Sequence, residues 1–223
     1  WSAIDKIITD YPPLVLEERD VIHVHKYWWS LFENVGIYYD SLDQFPRAIM
    51  VDEFGGNYLD SNYDEGKYWT VKDTFRRFLG AGHTKEMRTE HHTLANVKIA
   101  EYWRRLGAAG YSPFCALGSH EDGSHWFEGD LKEGKPKPVW NELAVVYSPL
   151  AVSMNLWDQN FTPEQEIDLP LHWFNDTEKD QDLIAELTIK EGDFVVLSKE
   201  LLCSVEAFSD LEKSVRLTMP KLK

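Results

Sequence analysis

Apolar and polar residues follow two different patterns along the chain, and the pattern changes near residue 148. Before that point, short runs of consecutive apolar residues alternate with stretches of helical spacing. After it, apolar residues recur at every second position. Continuous apolar runs are typical of parallel strands covered on both faces, and strict alternation is typical of antiparallel strands with one face in water. We therefore predict an α/β domain over 1–148 and an all-β domain over 149–223.

In the first domain, the apolar runs predict four strands, at 13–18, 20–28, 47–54 and 111–117. A short helix is predicted at 71–79 and a long one at Thr84–Leu106, which Gly107 and Gly110 would end. The long helix contains the pair His91-His92, for which we expect one core-facing and one surface side chain.

A last helix is predicted after "KPKP", where apolar residues recur at helical spacing. Its predicted buried stripe consists of Trp140, Leu143, Ala144 and Tyr147.

In the second domain, alternation runs through 152–156, 167–173, 185–189 and 215–219, with turn signals between these segments. This pattern predicts an antiparallel β-sandwich. The module is shorter than the roughly 100 residues of an immunoglobulin-like domain, so we expect an incomplete one. Asn160-Phe161-Thr162 and Asn175-Asp176-Thr177 also fit the glycosylation sequon.

The first domain offers only about four β/α units. A half-barrel would expose two strand edges and much apolar surface, which proteins avoid. We therefore expect a closing partner, either a missing N-terminal part of the same polypeptide or a second copy of the chain. The chain begins at Trp1 without an initiator Met or a signal peptide, so we expect it to be a piece of a longer protein.

Composition narrows the function classes. The 223 residues are 43% hydrophobic and 13% aromatic with nine tryptophans, which indicates a folded globular protein. The formal charge of −15 argues against a nucleic-acid or anionic-membrane partner, because phosphate contacts need clustered Lys and Arg. No apolar run approaches the roughly 20 residues that span a bilayer. Cys115 and Cys203 form no CxxC motif and are predicted to be buried free thiols, and we expect no cofactor or metal.

Candidate chemistry centres on "VDEFGGNYLD", where Glu53 follows an apolar strand and precedes Gly55 and Gly56. In a parallel α/β barrel, catalytic side chains project from the C-terminal ends of the strands. The two glycines would allow a sharp turn and the close approach of a ligand to the backbone. The alternative is that Glu53 is a capping or salt-bridged charge.

The preceding strand, "DVIHVHKYWW", ends in His25, Tyr27 and Trp28. Such a set suits a sugar, because the apolar faces of sugars stack on aromatic rings and the hydroxyls need hydrogen-bonding partners. Alternatively, Trp28 packs over the top of a barrel.

These segments resemble glycoside hydrolase family 2, the group of β-galactosidases, β-glucuronidases and β-mannosidases. "DVIHVHKYW" and "IMVDEFGG" are similar to the family's sixth and seventh barrel strands. "KPKPVWNELAVVYSPLAVSMNLWDQNFTPEQEIDLPLHWFNDTEKD" is similar to the exit into the following immunoglobulin-like domain. The likeness covers most of residues 10–190. It implies the C-terminal part of a (β/α)8 TIM barrel over 1–148 and an immunoglobulin-like sandwich after it.

The resemblance also implies roles for individual residues. Glu53 matches the nucleophile of a retaining glycosidase, and Tyr27 matches a tyrosine that hydrogen-bonds and orients it. Predicted substrate contacts are His25, Trp28, Asn57, His120 and Trp126. The eighth strand departs from the family, which usually places a Trp at its end. Here that position holds Ala116-Leu117-Gly118, and a loop supplies Trp126.

The second carboxyl group of the mechanism has no match in this chain. The family's acid/base stands in an N-E pair on the fourth strand, whereas Asn141-Glu142 belongs to the helix after the last strand. We therefore expect the acid/base upstream of Trp1, and the fragment alone to be inactive. The intact enzyme would cleave terminal β-linked sugars from oligo- or polysaccharides. Because the domain exit is common in bacterial polysaccharide-degrading members, a periplasmic or secreted location is favoured.

Two alternatives stay open. One is a catalytically silent carbohydrate-binding or scaffold module that keeps the aromatic cleft. The other is a metal-dependent hydrolase that uses the 120–125 loop, where His120, Glu121, Asp122 and His125 are potential ligands.

Overall fold

The structure is a computed structural model that describes residues 21–27, 41–43, 45–55, 58–66, 74–118, 125–129, 132–158 and 160–221. The predicted strand at 13–18 lies outside these residues. The chain divides into two compact units, Trp1–Val146 (unit 1) and Tyr147–Lys223 (unit 2). Unit 1 mixes helices with a parallel sheet, and the described part of unit 2 consists of antiparallel strands and their connections.

Unit 1 contains a three-stranded parallel sheet. Its strands are β1 (Val21–Tyr27), β2 (Ala48–Gly55) and β3 (Gly110–Pro113), and they lie side by side in chain order. These bounds confirm the strands predicted at 20–28 and 47–54, and shorten the one predicted at 111–117. The described strands of unit 1 do not close into a barrel.

One face of this sheet forms a buried apolar layer. Ile22 pairs with Ile49, and Val24 pairs with Val51, with at most 5% of each residue exposed. The side chains between them on β1, His23 and His25, therefore project to the opposite face.

The described helices of unit 1 are α1 (Thr74–Leu79), α2 (Lys85–Arg105) and α3 (Pro138–Val146). Thr84 caps α2 by accepting a hydrogen bond from the Met87 N–H (3.3 Å). Beyond the helix, Gly107 adopts a φ of +72° and its N–H donates to the Arg104 carbonyl (3.0 Å). Both ends of the long helix predicted at 84–106 are thus confirmed.

Two expectations about helix faces were wrong. His91 and His92 are both buried, because α2 packs along a wide face that includes Ala95 and Asn96. The ring of His91 stacks on the ring of Phe78 at a centroid distance of 5.7 Å.

On α3, the buried side chains are Val139, Leu143 and Val146. The predicted stripe contained Leu143 but also Trp140 and Tyr147, which are both more than 40% exposed. The buried positions recur at i, i+4 and i+7, so the apolar face is rotated from the predicted one by one residue.

Tyr63 organises a polar cluster within unit 1. Its hydroxyl donates to Glu128 (2.7 Å), and the ammonium groups of Lys85 and Lys137 lie over its ring at 4.1 and 4.5 Å. Glu128 and Lys135 belong to the two-stranded ladder β4 (Phe127–Glu128) and β5 (Lys135–Pro136). Lys137 is almost completely buried, and its Nζ also donates to the Asp60 carbonyl.

Unit 2 contains two antiparallel sheets. Its strands are β6 (Leu150–Met154), β7 (Glu166–Asn175), β8 (Gln181–Glu191), β9 (Phe194–Val205) and β10 (Ser209–Thr218). One sheet has the order β10-β7-β6, and β8 pairs with β9 in the other. The core that they share contains Leu169, Leu171, Trp173, Cys203, Val205 and Leu217. The alternation predicted from the sequence supplies most of these residues, whereas β9 was not among the predicted strands.

Asn175, at the end of β7, is fully buried and connects three segments of unit 2. Its amide nitrogen donates to the carbonyls of Lys179, Val205 and Glu206 at 2.8–3.1 Å. Its carbonyl oxygen accepts from the N–H and hydroxyl of Thr177. The asparagine of the second predicted sequon therefore serves as an internal hydrogen-bonding centre.

Candidate active site

The C-terminal ends of β1 and β2 lie at one edge of the parallel sheet and place His25 beside Glu53. Parallel strands end on the same side, so side chains from consecutive strands can converge there. The Glu53 side chain is 27% exposed, which leaves it reachable from solvent while protein surrounds most of it. This edge is the candidate active site.

A β-bulge in β2 brings a second carboxylate to the same place. Val24 pairs with Val51, but the next residue of β1, His25, pairs with Glu53, so Asp52 is an extra residue in the ladder. The register between β2 and β3 shifts over the same interval, between Val51 and Phe54. In a regular strand, positions 52 and 53 would face opposite sides of the sheet, whereas a bulge allows both to oppose one partner.

The imidazole of His25 lies between these two carboxylates. Its Nδ1 is 3.0 Å from Oε2 of Glu53, and its Nε2 is 3.3 Å from Oδ1 of Asp52. The other oxygen of Asp52, Oδ2, is 3.0 Å from Nδ1 of His23. The four side chains thus contact one another in the order His23–Asp52–His25–Glu53, and we call this group the relay.

Gly55 closes the strand beside the relay and requires the absence of a side chain. It has a φ of +125°, and an added Cβ would lie 3.0 Å from the Phe114 carbonyl oxygen and 3.2 Å from Oδ1 of Asn96. The sequence had suggested that this glycine admits a ligand. The group that approaches its backbone is instead the segment after β3, whose Phe114 N–H donates to the Phe54 carbonyl (2.7 Å).

Cys115, in the same segment, lies close enough to Glu53 for the carboxylate charge to affect its thiol. Burial raises the pKa of the Cys115 thiol, and the negative charge of Glu53 raises it further, while a backbone hydrogen bond at Leu117 opposes both. The thiol is therefore held in its neutral form, which is a poor nucleophile.

Most of the other predicted site residues, or their side chains, lie outside the described part of the structure. Tyr27 is the last residue of β1, next to the site, and its side chain lies outside the described part of the structure. Trp28, Asn57 and His120 also lie outside the described residues. Their roles stay predictions.

Trp126 is described, and it lies in the interior. Only 6% of it is exposed, its ring packs edge-on against Trp140, and its backbone N–H donates to the Ala116 carbonyl (3.0 Å). The loop thus returns to Ala116, in the segment after β3. A buried indole presents little surface for sugar stacking, so this position does not favour the predicted substrate contact.

Asp52 and His23 are the members of the relay that sequence reasoning missed. The signal for His23 was its i, i+2 spacing from His25, which puts both rings on one face of a strand. Asp52 gave no comparable signal, because regular alternation would direct it away from Glu53.

Within the described residues, no group of three His, Cys, Asp or Glu side chains is arranged to hold a metal ion. The two ring nitrogens of His25 point to different carboxylates, so the relay does not converge on one point. Residues 119–124, on which the metal hypothesis depends, lie outside the described part of the chain. No helix in the described part is both long and apolar enough to cross a membrane.

Comparison of the chain with protein-family models, with curated proteins and with solved structures gave no match.

Proposed function

We propose that this chain contributes the nucleophile half of the active site of a retaining β-glycosidase similar to glycoside hydrolase family 2. The observation that supports this most directly is the position of Glu53. It lies at the C-terminal end of a parallel strand, partly exposed, with a histidine of the neighbouring strand 3.0 Å away. In the proposed reaction, the Glu53 carboxylate attacks the anomeric carbon and forms a covalent glycosyl-enzyme intermediate, which water then hydrolyses.

The arrangement of the sheet supports the barrel part of this proposal. β1, β2 and β3 are parallel neighbours in chain order, and α1 and α2 lie between β2 and β3 in the sequence. Sequential parallel strands with intervening helices are the repeating unit of a (β/α)8 barrel. In unit 2, two antiparallel sheets around one core are compatible with the proposed immunoglobulin-like sandwich.

The general acid is proposed to come from outside this chain. In a retaining enzyme it stands about 5–5.5 Å from the nucleophile, across the sugar. The carboxylate that the structure brings to Glu53 is Asp52, which comes from the same strand and is already engaged by two imidazoles. It is therefore placed to act on the nucleophile's surroundings and not on the leaving group.

A mechanism-based inhibitor tests the proposal. A 2-fluoroglycoside panel with galactosyl, glucuronyl and mannosyl members is incubated with this chain together with the segment proposed to supply the general acid, and the peptide carrying the label is identified by mass spectrometry. We expect the label on Glu53 and its loss in Glu53→Gln. Glu65→Gln is the matched control, because Glu65 is a partly exposed glutamate of unit 1 whose partner is His83.

Binding and activity measurements on the same protein separate the alternatives. Sugar binding without turnover, unchanged by Glu53→Gln, would indicate a silent binding module. Activity lost on chelation would indicate the metal-dependent hydrolase. Turnover by the 223-residue chain alone would contradict the assignment of the acid/base to another segment.

A further inference from the structure

A groove with a volume of about 550 Å³ follows one face of α2 and reaches the N-terminal half of α3. Its residues on α2 extend from Lys85 to Val97, which corresponds to roughly 18 Å of helix. Most of its accessible wall is apolar and includes Leu94, Val97 and Pro138. Leu94 is 42% exposed, so this wall is open to solvent. The groove shares no residue with the candidate active site.

Three glutamates line the same groove, Glu86 and Glu90 on α2 and Glu142 on α3. Glu86 is hydrogen-bonded to Thr84 at the start of α2. Glu90 and Glu142 are exposed, and neither has an ion-pair partner within the described part of the chain. The apolar wall is therefore bordered by carboxylates, two of which have no cation beside them.

The basic residues of α2 do not neutralise this border, because each one contacts another group. Lys85 is part of the lining, but its ammonium group lies 4.1 Å from the centre of the Tyr63 ring. The other four have partners outside the lining, namely the Tyr63 carbonyl for Arg88, Glu101 for Lys98 and Arg105, and the Val146 carbonyl for Arg104. The groove thus combines an apolar wall with a negative charge that its own helix leaves uncompensated.

We propose that this groove binds a basic amphipathic helix of a partner protein. Apolar side chains of that helix pack on Leu94 and Val97, and its Lys or Arg residues face Glu90 and Glu142. A groove that follows three turns of a helix suits this mode of recognition, in which apolar anchors recur at helical spacing. The inference is independent of the glycosidase proposal.

The charge of the chain argues for a basic partner over a second copy. The chain has a formal charge of −15, so two copies repel each other over a distance. A basic helix is instead attracted to the carboxylates at the groove. Such complementarity accelerates association and selects against acidic partners.

Binding of a synthetic peptide tests the inference. The probe is a fluorescently labelled peptide of about 14 residues, long enough for the groove, with leucines at helical spacing and lysines elsewhere. Its binding to the 223-residue chain is measured by fluorescence anisotropy at about 0.15 M salt. We expect the lysine peptide to bind, and a peptide with glutamates in place of the lysines to bind at least about tenfold more weakly.

Matched variants locate the binding site. Leu94→Gln should weaken binding by about tenfold, because an apolar contact is lost. Met87→Gln is its control, since Met87 is similarly exposed (39%) on α2 but does not line the groove. Glu90→Gln should weaken binding by roughly twofold to fivefold, less so at high salt. Glu133→Gln, at an exposed glutamate of unit 1 outside the lining, should leave it unchanged.

Methyl NMR spectra of the wild-type chain decide the matter if Leu94→Gln does not fold. Addition of the lysine peptide should shift the signals of Leu94 and Val97. The signals of Leu169 and Leu171, in the core of unit 2, should not move.

Several results would overturn the inference. They are the absence of binding, equal binding of the glutamate peptide, unmoved Leu94 and Val97 signals, and equal affinities of Leu94→Gln and Met87→Gln. A dimer that Leu94→Gln dissociates in sedimentation experiments would show that a second copy occupies the groove. Displacement of the peptide by the segment proposed to supply the general acid would show that the groove is an internal contact of the enzyme.

Discussion

Asn175 in unit 2 and His92 in unit 1 are both almost completely buried, yet their polar atoms are accommodated differently. Asn175 donates to three backbone carbonyls and accepts two hydrogen bonds from Thr177. His92 has an Nε2 atom without a hydrogen-bond partner in the described part of the chain, and Asn96, one turn later on α2, has an unpaired Oδ1. Buried polar groups that lack partners cost free energy. The buried amide of Asn175 is thus fully hydrogen-bonded, and the indole Nε1 of Trp173 is a neutral exception in the same unit. The buried imidazole of His92 in unit 1 instead depends on staying neutral.

This difference predicts how the stability of each unit depends on pH. Burial, with the charges of Lys137 and His91 nearby, lowers the pKa of His92 to about 3. The described interior of unit 2 is built mainly from apolar side chains, and its buried polar residues, Ser153 and Asn175, carry no group that titrates in this pH range. Three changes can sharpen or break this comparison. Each can be followed by urea unfolding with 19F NMR of fluorotryptophan, which separates Trp103 of unit 1 from Trp173 of unit 2.

Acidification should produce the largest effect. Because the pKa of His92 falls from 6.5 to about 3 on folding, the unfolded chain binds more protons between these values. The contribution of neutral His92 to the stability of unit 1 is therefore fully present above pH 6.5 and is lost as the pH falls towards 3, by up to about 5 kcal/mol. His92→Gln should flatten this dependence. His172→Gln, the matched change in unit 2, should not, and an unaltered acid limb in His92→Gln would contradict the assignment.

Alkaline pH should produce a smaller effect with two opposing parts, both in unit 1. Burial lowers the pKa of Lys137 to about 8, so stability rises as the pH increases from 8 towards 10.5, by about 3 kcal/mol. Burial and the bond to Glu128 raise the pKa of Tyr63 to about 12, so stability falls between pH 10 and 12. The expected result is a local maximum near pH 10.

Lys137→Met should remove the rise above pH 8. Lys85→Met is the matched control, because Lys85 lies over the same Tyr63 ring but is exposed. A maximum that persists in Lys137→Met would show that another group causes it.

Removal of the Asn175 side chain should destabilise unit 2 by roughly 2 to 3 kcal/mol, because buried carbonyls of three residues lose their donor. The loss should be independent of pH between 4 and 8, and should be confined to the Trp173 signal. Asn160→Ala, at an exposed asparagine of the same unit, should have no measurable effect. A Trp103 transition that moves equally would show that the two units do not unfold separately.

Local signals in the sequence were sufficient for some elements. Thr84 and Gly107 marked the ends of α2, because capping requires a side-chain acceptor at one end and a left-handed residue at the other. Alternation located the core residues of β7 because it reports directly which face is dry. The continuous apolar run 49–51 predicted a buried strand, and this prediction placed Glu53 near the end of that strand.

The remaining features depend on contacts that a one-dimensional pattern does not contain. Both members of the pair His91-His92 are buried because α2 is covered over a face wider than one stripe. Trp126 is buried because its loop returns to Trp140, far along the chain. The relay needed a register shift, and a shift is a property of two strands together.

The bulge at Asp52 has a consequence for how this site could have arisen. Beyond it, the ladder resumes with Glu53 opposite His25, Phe54 opposite Lys26 and Gly55 opposite Tyr27. Removing residue 52 would therefore leave a regular strand that still presents the glutamate to the histidine. The second carboxylate is thus equivalent to a single-codon insertion, which adds a partner for the imidazole without displacing the first. In such a strand, a one-residue change in length can bring a new side chain to the site, whereas a substitution at position 53 can only replace the side chain already there.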